Sequence, residues 1–214
     1  MNKLLEGLRT FQASVYPKNA HLFNKLADQQ HPLAAMITCS DSRIVTSLLL
    51  QCDPGDVFVC RNAGNIAPPY DADVSGVAAS VEYALDVLQV LHLIVCGHSD
   101  CGAMKALLQP DSVRNLPAVG RWLKNADAAR RIAADDHGCG SSAERLRFVT
   151  QENVVVQLAN LATYPPVAAA LARGAVELHG WYYDIGAGQV FCFDAKEKCF
   201  VAFDGAAPLP LVAA

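Results

Sequence analysis

Two kinds of apolar pattern run along this chain. Leu4, Leu5, Leu8, Phe11 and Val15 recur at helical spacing and predict an amphipathic helix that ends before Pro17. A second helix is expected from about Ala20 to Gln29. Short continuous apolar runs then read as buried strands, first Leu33 to Ile37, then Val57 to Cys60 after the Asp53-Pro54-Gly55-Asp56 turn, then Leu91 to Val95. Helical segments separate them, a short one around Ser47 to Leu50 and a longer one from Val77 to Val87. Gly102 to Leu108 is helical and stops at Pro110, and Ala118 to Leu161 is helical apart from a polar break holding Asp135, His137, Gly138, Cys139 and Gly140. Pro166 to Ala172 makes a further helix. Strand Val176 to Tyr183, a Gly186-Ala187-Gly188 turn, and strands near Val190–Phe193 and Phe200–Phe203 close the pattern.

Strands alternating with helices imply an α/β fold, with a mostly parallel central sheet flanked by helices, an antiparallel edge hairpin and an N-terminal helical arm over residues 1–16. No repeat, low-complexity tract or linker interrupts the chain, so residues 1–214 read as a single domain. The apolar face of the arm must be buried. It either folds back on its own core or reaches across a partner subunit, and amphipathicity alone leaves both open.

Composition narrows the function classes. With 17 basic and 21 acidic residues, a net charge of -4 and no Lys/Arg stripe, the chain is no candidate for nucleic-acid binding. Its longest apolar stretches are too short to span a bilayer, and its first segment is an amphipathic helix rather than a signal peptide, which makes the cytoplasm the expected location. Eight cysteines invite a disulfide reading, but a hydrophobic fraction of 52% provides a core that needs no staples. Cys60, Cys96 and Cys192 lie in apolar runs as small hydrophobes, and Cys52, Cys139 and Cys199 have no evident partner. His21, His31, His92, His137 and His179 read as having ordinary roles.

The remaining polar signals lie in two segments, Cys39-Ser40-Asp41-Ser42-Arg43 and His98-Ser99-Asp100-Cys101, each following a strand-like run. If those strands are parallel neighbours, their carboxyl ends meet where open α/β sheets build ligand sites. Cys39, His98 and Cys101 then offer two thiolates and an imidazole, a zinc set with one position left open, the arrangement of catalytic sites. Two thiolates neutralise the charge of the ion, so water there should be less acidic than in an all-histidine site, where its pKa falls to about 7. Asp41 is placed to accept a hydrogen bond from a nucleophile at the open position. Arg43 can grip that carboxylate through a bidentate fork, and backbone amides near Gly102 can receive a developing anion.

These segments resemble those of the β-class carbonic anhydrases. The resemblance rests on CSDSR at Cys39 to Arg43, RNAGN at Arg61 to Asn65, GVAASVEYA at Gly76 to Ala84, GHSDCGA at Gly97 to Ala103 and HGWYYDI at His179 to Ile185, in order over nearly the whole chain. The PPYD segment and the short N-terminus look most like the plant-type branch, and the sequence is also similar to bacterial enzymes encoded beside cyanase. The resemblance implies a zinc ion on Cys39, His98 and Cys101, a catalytic pair Asp41 and Arg43, and a substrate pocket of Gln30, Phe58, Tyr83 and Gly102. It also implies reversible hydration of carbon dioxide to bicarbonate and a proton. A homodimer or higher homo-oligomer is expected, with the pocket at the subunit interface and the first helix embracing the partner. Neither nucleic acid nor membrane is implied. Two other readings fit the same fold: hydrolysis of carbon disulfide or carbonyl sulfide, and a catalytically silent zinc scaffold. The Asp41–Arg43 pair argues against the scaffold. Part of the family carries an inhibitory bicarbonate pocket of a tryptophan, an arginine and a tyrosine; Arg61 and Tyr183 match the last two, but the tryptophan position is Met36.

Overall fold

The apolar runs pair into one sheet. The computed structural model describes residues 1–71, 75–135 and 140–205. Its strands are β1 (Ala34–Cys39), β2 (Val57–Asn62), β3 (His92–His98), β4 (Glu177–Asp184), β5 (Gln189–Asp194) and β6 (Cys199–Ala202), lying side by side in the order β2-β1-β3-β4-β5-β6. The first four in that order are parallel, and β4, β5 and β6 run antiparallel. The expected α/β sheet is therefore present, with its antiparallel edge. Every residue of β1 is buried, as befits a strand covered on both faces. Both β1 and β3 outlast their apolar runs, because the ladders continue through the pairs Cys39 with Asn62 and His98 with Tyr183. Cys39 and His98 are thus the last residues of strands rather than the first of loops.

The helices are α1 (Asn2–Thr10), α2 (Tyr16–Leu26), α3 (Thr46–Leu50), α4 (Gly76–Glu82), α5 (Gly102–Leu108), α6 (Pro117–Leu123), α7 (Asp127–Asp135), α8 (Ser142–Ala162) and α9 (Pro165–Ala172). Pro17 does not end the first helix, contrary to expectation. A π-helical turn, Phe11–Val15, joins α1 to α2, and Pro17 falls in the first turn of α2, where the missing N–H costs least. The side chain of Asn19 donates to the Val15 carbonyl at 2.9 Å. The arm therefore runs unbroken to Leu26, and the separate helix expected from Ala20 to Gln29 is its second half. Leu4 and Leu8 on it stay 68% and 61% exposed, so the arm does not fold back on this chain's own core. A second π-helical turn, Tyr83–Val87, completes the segment that begins with α4. His137, Gly138 and Cys139 of the polar break lie outside the described residues; beyond it, Ser141 and Glu144 form a capping box that starts α8.

One face of the sheet, with Ala35, Ile37, Leu93, Val95 and Leu178, packs against Val154, Leu158 and Leu161 of α8. That contact is close because of two glycines. A Cβ on Gly97 would stand 2.9 Å from Val154, and one on Gly180 would stand 2.8 Å from Leu158. The other face buries Ala34, Met36, Ile94 and Cys96.

A candidate metal centre at the carboxyl edge of the sheet

β1 and β3 are hydrogen-bonded neighbours, so their ends bring Cys39 and His98 together. The tight turn after β3 returns Cys101 at the cap of α5. Asp100 makes this turn at φ 58°, a left-handed conformation that a short polar side chain tolerates. All three side chains are buried, and their sulfur and nitrogen atoms lie within 4.8 Å of one another. The two sulfurs are 3.9 Å apart. Tetrahedral zinc with Zn–S bonds of about 2.3 Å holds two thiolates about 3.8 Å apart, so the pair already has the right span. His98 Nδ1 sits 2.9 Å from the Ser99 carbonyl, which only accepts, so that nitrogen carries the ring proton. Its Nε2 is then a lone pair, buried with no partner among the described groups. Two soft sulfurs and a free imidazole nitrogen fit zinc.

The thiols are unequal. Cys39 is pulled down to about 4, chiefly by the Cys101 thiol, with help from the Gly64 N–H 3.4 Å away, against the cost of burial. Cys101 is pushed up by the same contact with Cys39 and by burial. Without a cation the pair keeps one proton between them; a dication makes both thiolates favourable.

Asp41 is held aside by Arg43. Nε donates to one carboxylate oxygen at 3.0 Å, Nη2 to the other at 2.8 Å, and the Arg43 backbone N–H to the first at 2.9 Å. These bonds hold the carboxyl well below the usual carboxylate range. One oxygen still lies 3.9 Å from His98 Nε2, so the carboxylate borders the metal position while bonded elsewhere. Asp100 grips Arg43 from the other side, through its carboxylate and its backbone carbonyl at 3.1 Å each, and pairs in turn with Lys105.

Arg61 was matched in sequence to an anion pocket. Here its fork goes to main-chain carbonyls instead: Nε to Cys39 at 3.1 Å, Nη1 to Ile44 at 2.8 Å and Nη2 to Asp41 at 2.7 Å. It fixes the loop that carries the first cysteine and the carboxylate. Gly64, at φ 82°, has Ala103 and Met104 about where a Cβ would go, at 3.0 and 3.1 Å. Its N–H faces the Cys39 sulfur and its carbonyl accepts from Asn153 of α8 at 2.9 Å. The loop's other anchors are Gln157, which accepts from the Ala67 N–H at 3.0 Å, and Trp122, which donates to Ala63 at 2.8 Å. The structure brings together Cys39, His98, Cys101, Asp41 and Arg43, all named from the sequence, and adds Asp100, Arg61 and Gln157 as supports that the sequence reading did not name as such. Asp100 and Arg61 lay inside the quoted motifs; Gln157 carried no motif signal.

The expected pocket residues divide. Gly102 is exposed at the start of α5, beside Cys101, with open space where a Cβ would go. Phe58 and Tyr83 pair with each other, ring centroids 6.0 Å apart. Phe58 is four residues down β2 from Asn62, the partner of Cys39, which puts it about 13 Å from the metal position. Gln30 is exposed in the segment before β1.

A family profile described as carbonic anhydrase matches residues 34–190. The chain is 48% identical over 203 residues to a carbonic anhydrase of Pseudomonas aeruginosa, covering 94% of this chain and 91% of that one. It is 44% identical to carbonic anhydrase 1 of Escherichia coli O157:H7, covering the same 94% and 91%. Among solved structures it superposes on the β-carbonic anhydrase CcaA with a TM-score of 0.91 at 44% identity, over 95% of this chain and 99% of that one. It matches one of two tetrameric β-carbonic anhydrases of Sordaria macrospora with a TM-score of 0.81 at 32% identity, over 94% and 98%.

Proposed function

This chain belongs to the β-class carbonic anhydrases, and on that premise we propose which of its residues carry the reaction. The reaction is the reversible hydration of carbon dioxide to bicarbonate and a proton, and the cofactor is zinc. Cys39, His98 and Cys101 hold the ion. Zinc bound there supplies Lewis acidity that makes water a nucleophile near neutral pH. Asp41, kept ionised by Arg43, accepts a hydrogen bond from that nucleophile and turns its lone pair toward the carbon. Arg43 also keeps the carboxylate from closing onto the ion, since both of its oxygens are already engaged. The Gly102 N–H, in the first turn of α5 where the helix itself supplies no acceptor, receives the developing negative oxygen. One observation carries the assignment: the unpartnered Nε2 of His98 stands with two sulfurs 3.9 Å apart on one side and the Asp41 carboxylate 3.9 Å away on the other.

The working unit is a homo-oligomer, at least a dimer, in which Gln30, Phe58 and Tyr83 line the pocket of a second copy. The distance of Phe58, with Tyr83 against it, from this chain's own metal position and the exposed apolar face of the arm support that reading. The compartment is the cytoplasm. The seven described cysteines, unpaired in this structure, suit reducing conditions, and no single described helix is long and apolar enough to cross a membrane.

Metal analysis with stopped-flow hydration of carbon dioxide tests the assignment. Protein purified without added metal should carry zinc, and Cys39→Ala, His98→Ala and Cys101→Ala should each lose both the zinc and the activity. Full zinc in any folded variant removes that residue from the ligand set.

A further inference from the structure

The opposite edge of the sheet holds a second cluster of ligating side chains. His92 opens β3 and Glu177 opens β4 directly beside it in register, with His179 two residues further on. Residues two apart in a strand share a face, so all three project from the same side. His92 lies six residues of β3 from His98, about 20 Å, and His179 lies level with Ile94, four residues from it.

Their atoms converge. His92 Nδ1 is 3.1 Å from His179 Nε2 and 3.2 Å from a Glu177 carboxylate oxygen, and that oxygen is 3.7 Å from His179 Nε2. Four tetrahedral ligands at about 2.0 to 2.1 Å stand about 3.3 to 3.4 Å from one another. The observed triangle has one face of that tetrahedron. One proton on His92 Nδ1 serves only one side of it, and the carboxylate brings none. His179 is buried. Its other nitrogen, Nδ1, has no partner among the described groups, which leaves Nε2 as the atom it turns to the cluster. A cation at the centre would engage all three lone pairs at once.

We propose that His92, Glu177 and His179 form a second metal site, which takes a divalent first-row transition ion, zinc foremost, with solvent in the fourth position. Two imidazoles and a carboxylate suit zinc, cobalt or nickel and disfavour calcium or magnesium, which prefer all-oxygen shells. The side chains of His92 and Glu177 are 40% and 45% exposed, so the ion has a path in. Both strands are fixed by the ladder, so no loop must order for the site to close. The ion would clamp the amino ends of β3 and β4, which revises the reading of His92 and His179 as ordinary.

The test uses the holoenzyme, with zinc already on the cysteine site. Equilibrium dialysis against micromolar zinc should raise metal content from about one to about two ions per chain. Cobalt added instead should give weak d–d absorption without a thiolate charge-transfer band, marking a site with no sulfur. His179 is buried, so the variants are made at the exposed positions. His92→Ala and Glu177→Gln should keep the first zinc and full hydration activity but take up no second ion. Three results would overturn the proposal: no second equivalent in the native protein, a second equivalent that survives in both variants, or a cobalt spectrum with the thiolate band. None depends on the hydration reaction.

Discussion

Asp41 spends both carboxylate oxygens on Arg43 yet stands 3.9 Å from the nitrogen that would bind metal. Removing either partner should leave the three ligands in place and take away the orientation of the nucleophile. Asp41→Ala and Arg43→Ala are therefore expected to keep zinc and lose about 10²- to 10³-fold in kcat/KM, the usual worth of a preorganised polar group. A near-native rate with full zinc in either variant would refute the pair. The sign of the pH dependence follows from the same contact. Because the Asp41 carboxyl lies well below its ordinary value, the ion pair is intact above about pH 4 and is lost only as pH falls below that. Met36 is fully buried and its thioether has no N–H to donate to an anion, and Arg61 is committed to three carbonyls. Activity should then fall with pH from about 9 to about 6 along a single ionisation, and a steeper, multi-proton collapse would contradict this. At this scale the residues proposed as ligands and pair could be picked out in the sequence, because thiols, imidazole and carboxylate announce their chemistry by type. Arg61 was visible only as a match to the arginine of a pocket that Met36 leaves incomplete; its bonds to three carbonyls depend on what surrounds it, and only the folded loop decides that.

Among the elements, α8 does more than cover the sheet. Asn153, Gln157 and Asn160 form a polar stripe on an otherwise packed helix and hold the loop over residues 62–68 by its backbone. Gln157 accepts from Ala67 and donates to Asn153 at 2.9 Å, and Asn160 donates to the Ala67 carbonyl at 2.9 Å. Gln157→Leu keeps the volume and removes the bonds. It should destabilise the protein by about 1 to 3 kcal/mol in urea unfolding, the cost of leaving buried polar groups unpaired. An unchanged midpoint would show that the stripe is dispensable. The strands and α5 were legible from their apolar runs and from Pro110. The join at Pro17 was not, since a proline in a helical pattern reads as a stop, and a π-helical turn before it leaves no trace in apolar spacing.

For the whole molecule, the arm is the unfinished part. From Leu4 to Tyr16 it presents Leu5, Leu8, Phe11 and Val15 to solvent, more apolar surface than a lone helix keeps without a partner. Deleting residues 2–15 should lower the oligomeric state in light scattering and the hydration rate together; a fully active monomer would refute the shared pocket. Sequence left two destinations for this arm, because a helix face records that it is covered and not by what. The carboxyl edge has a different implication. Cys39 and His98 end adjacent strands, so they meet only when β1 and β3 pair as they do here, Thr38 beside Cys96. A slip of one residue turns every side chain of a strand to the other face. Such a chain would offer Thr38 or Ser40 where the sulfur belongs and hold no ion at this edge. Metal bound through sulfur in a refolded sample, read with cobalt by its thiolate charge-transfer band, therefore counts the chains whose central strands have been aligned correctly, an assay of folding fidelity that requires no substrate.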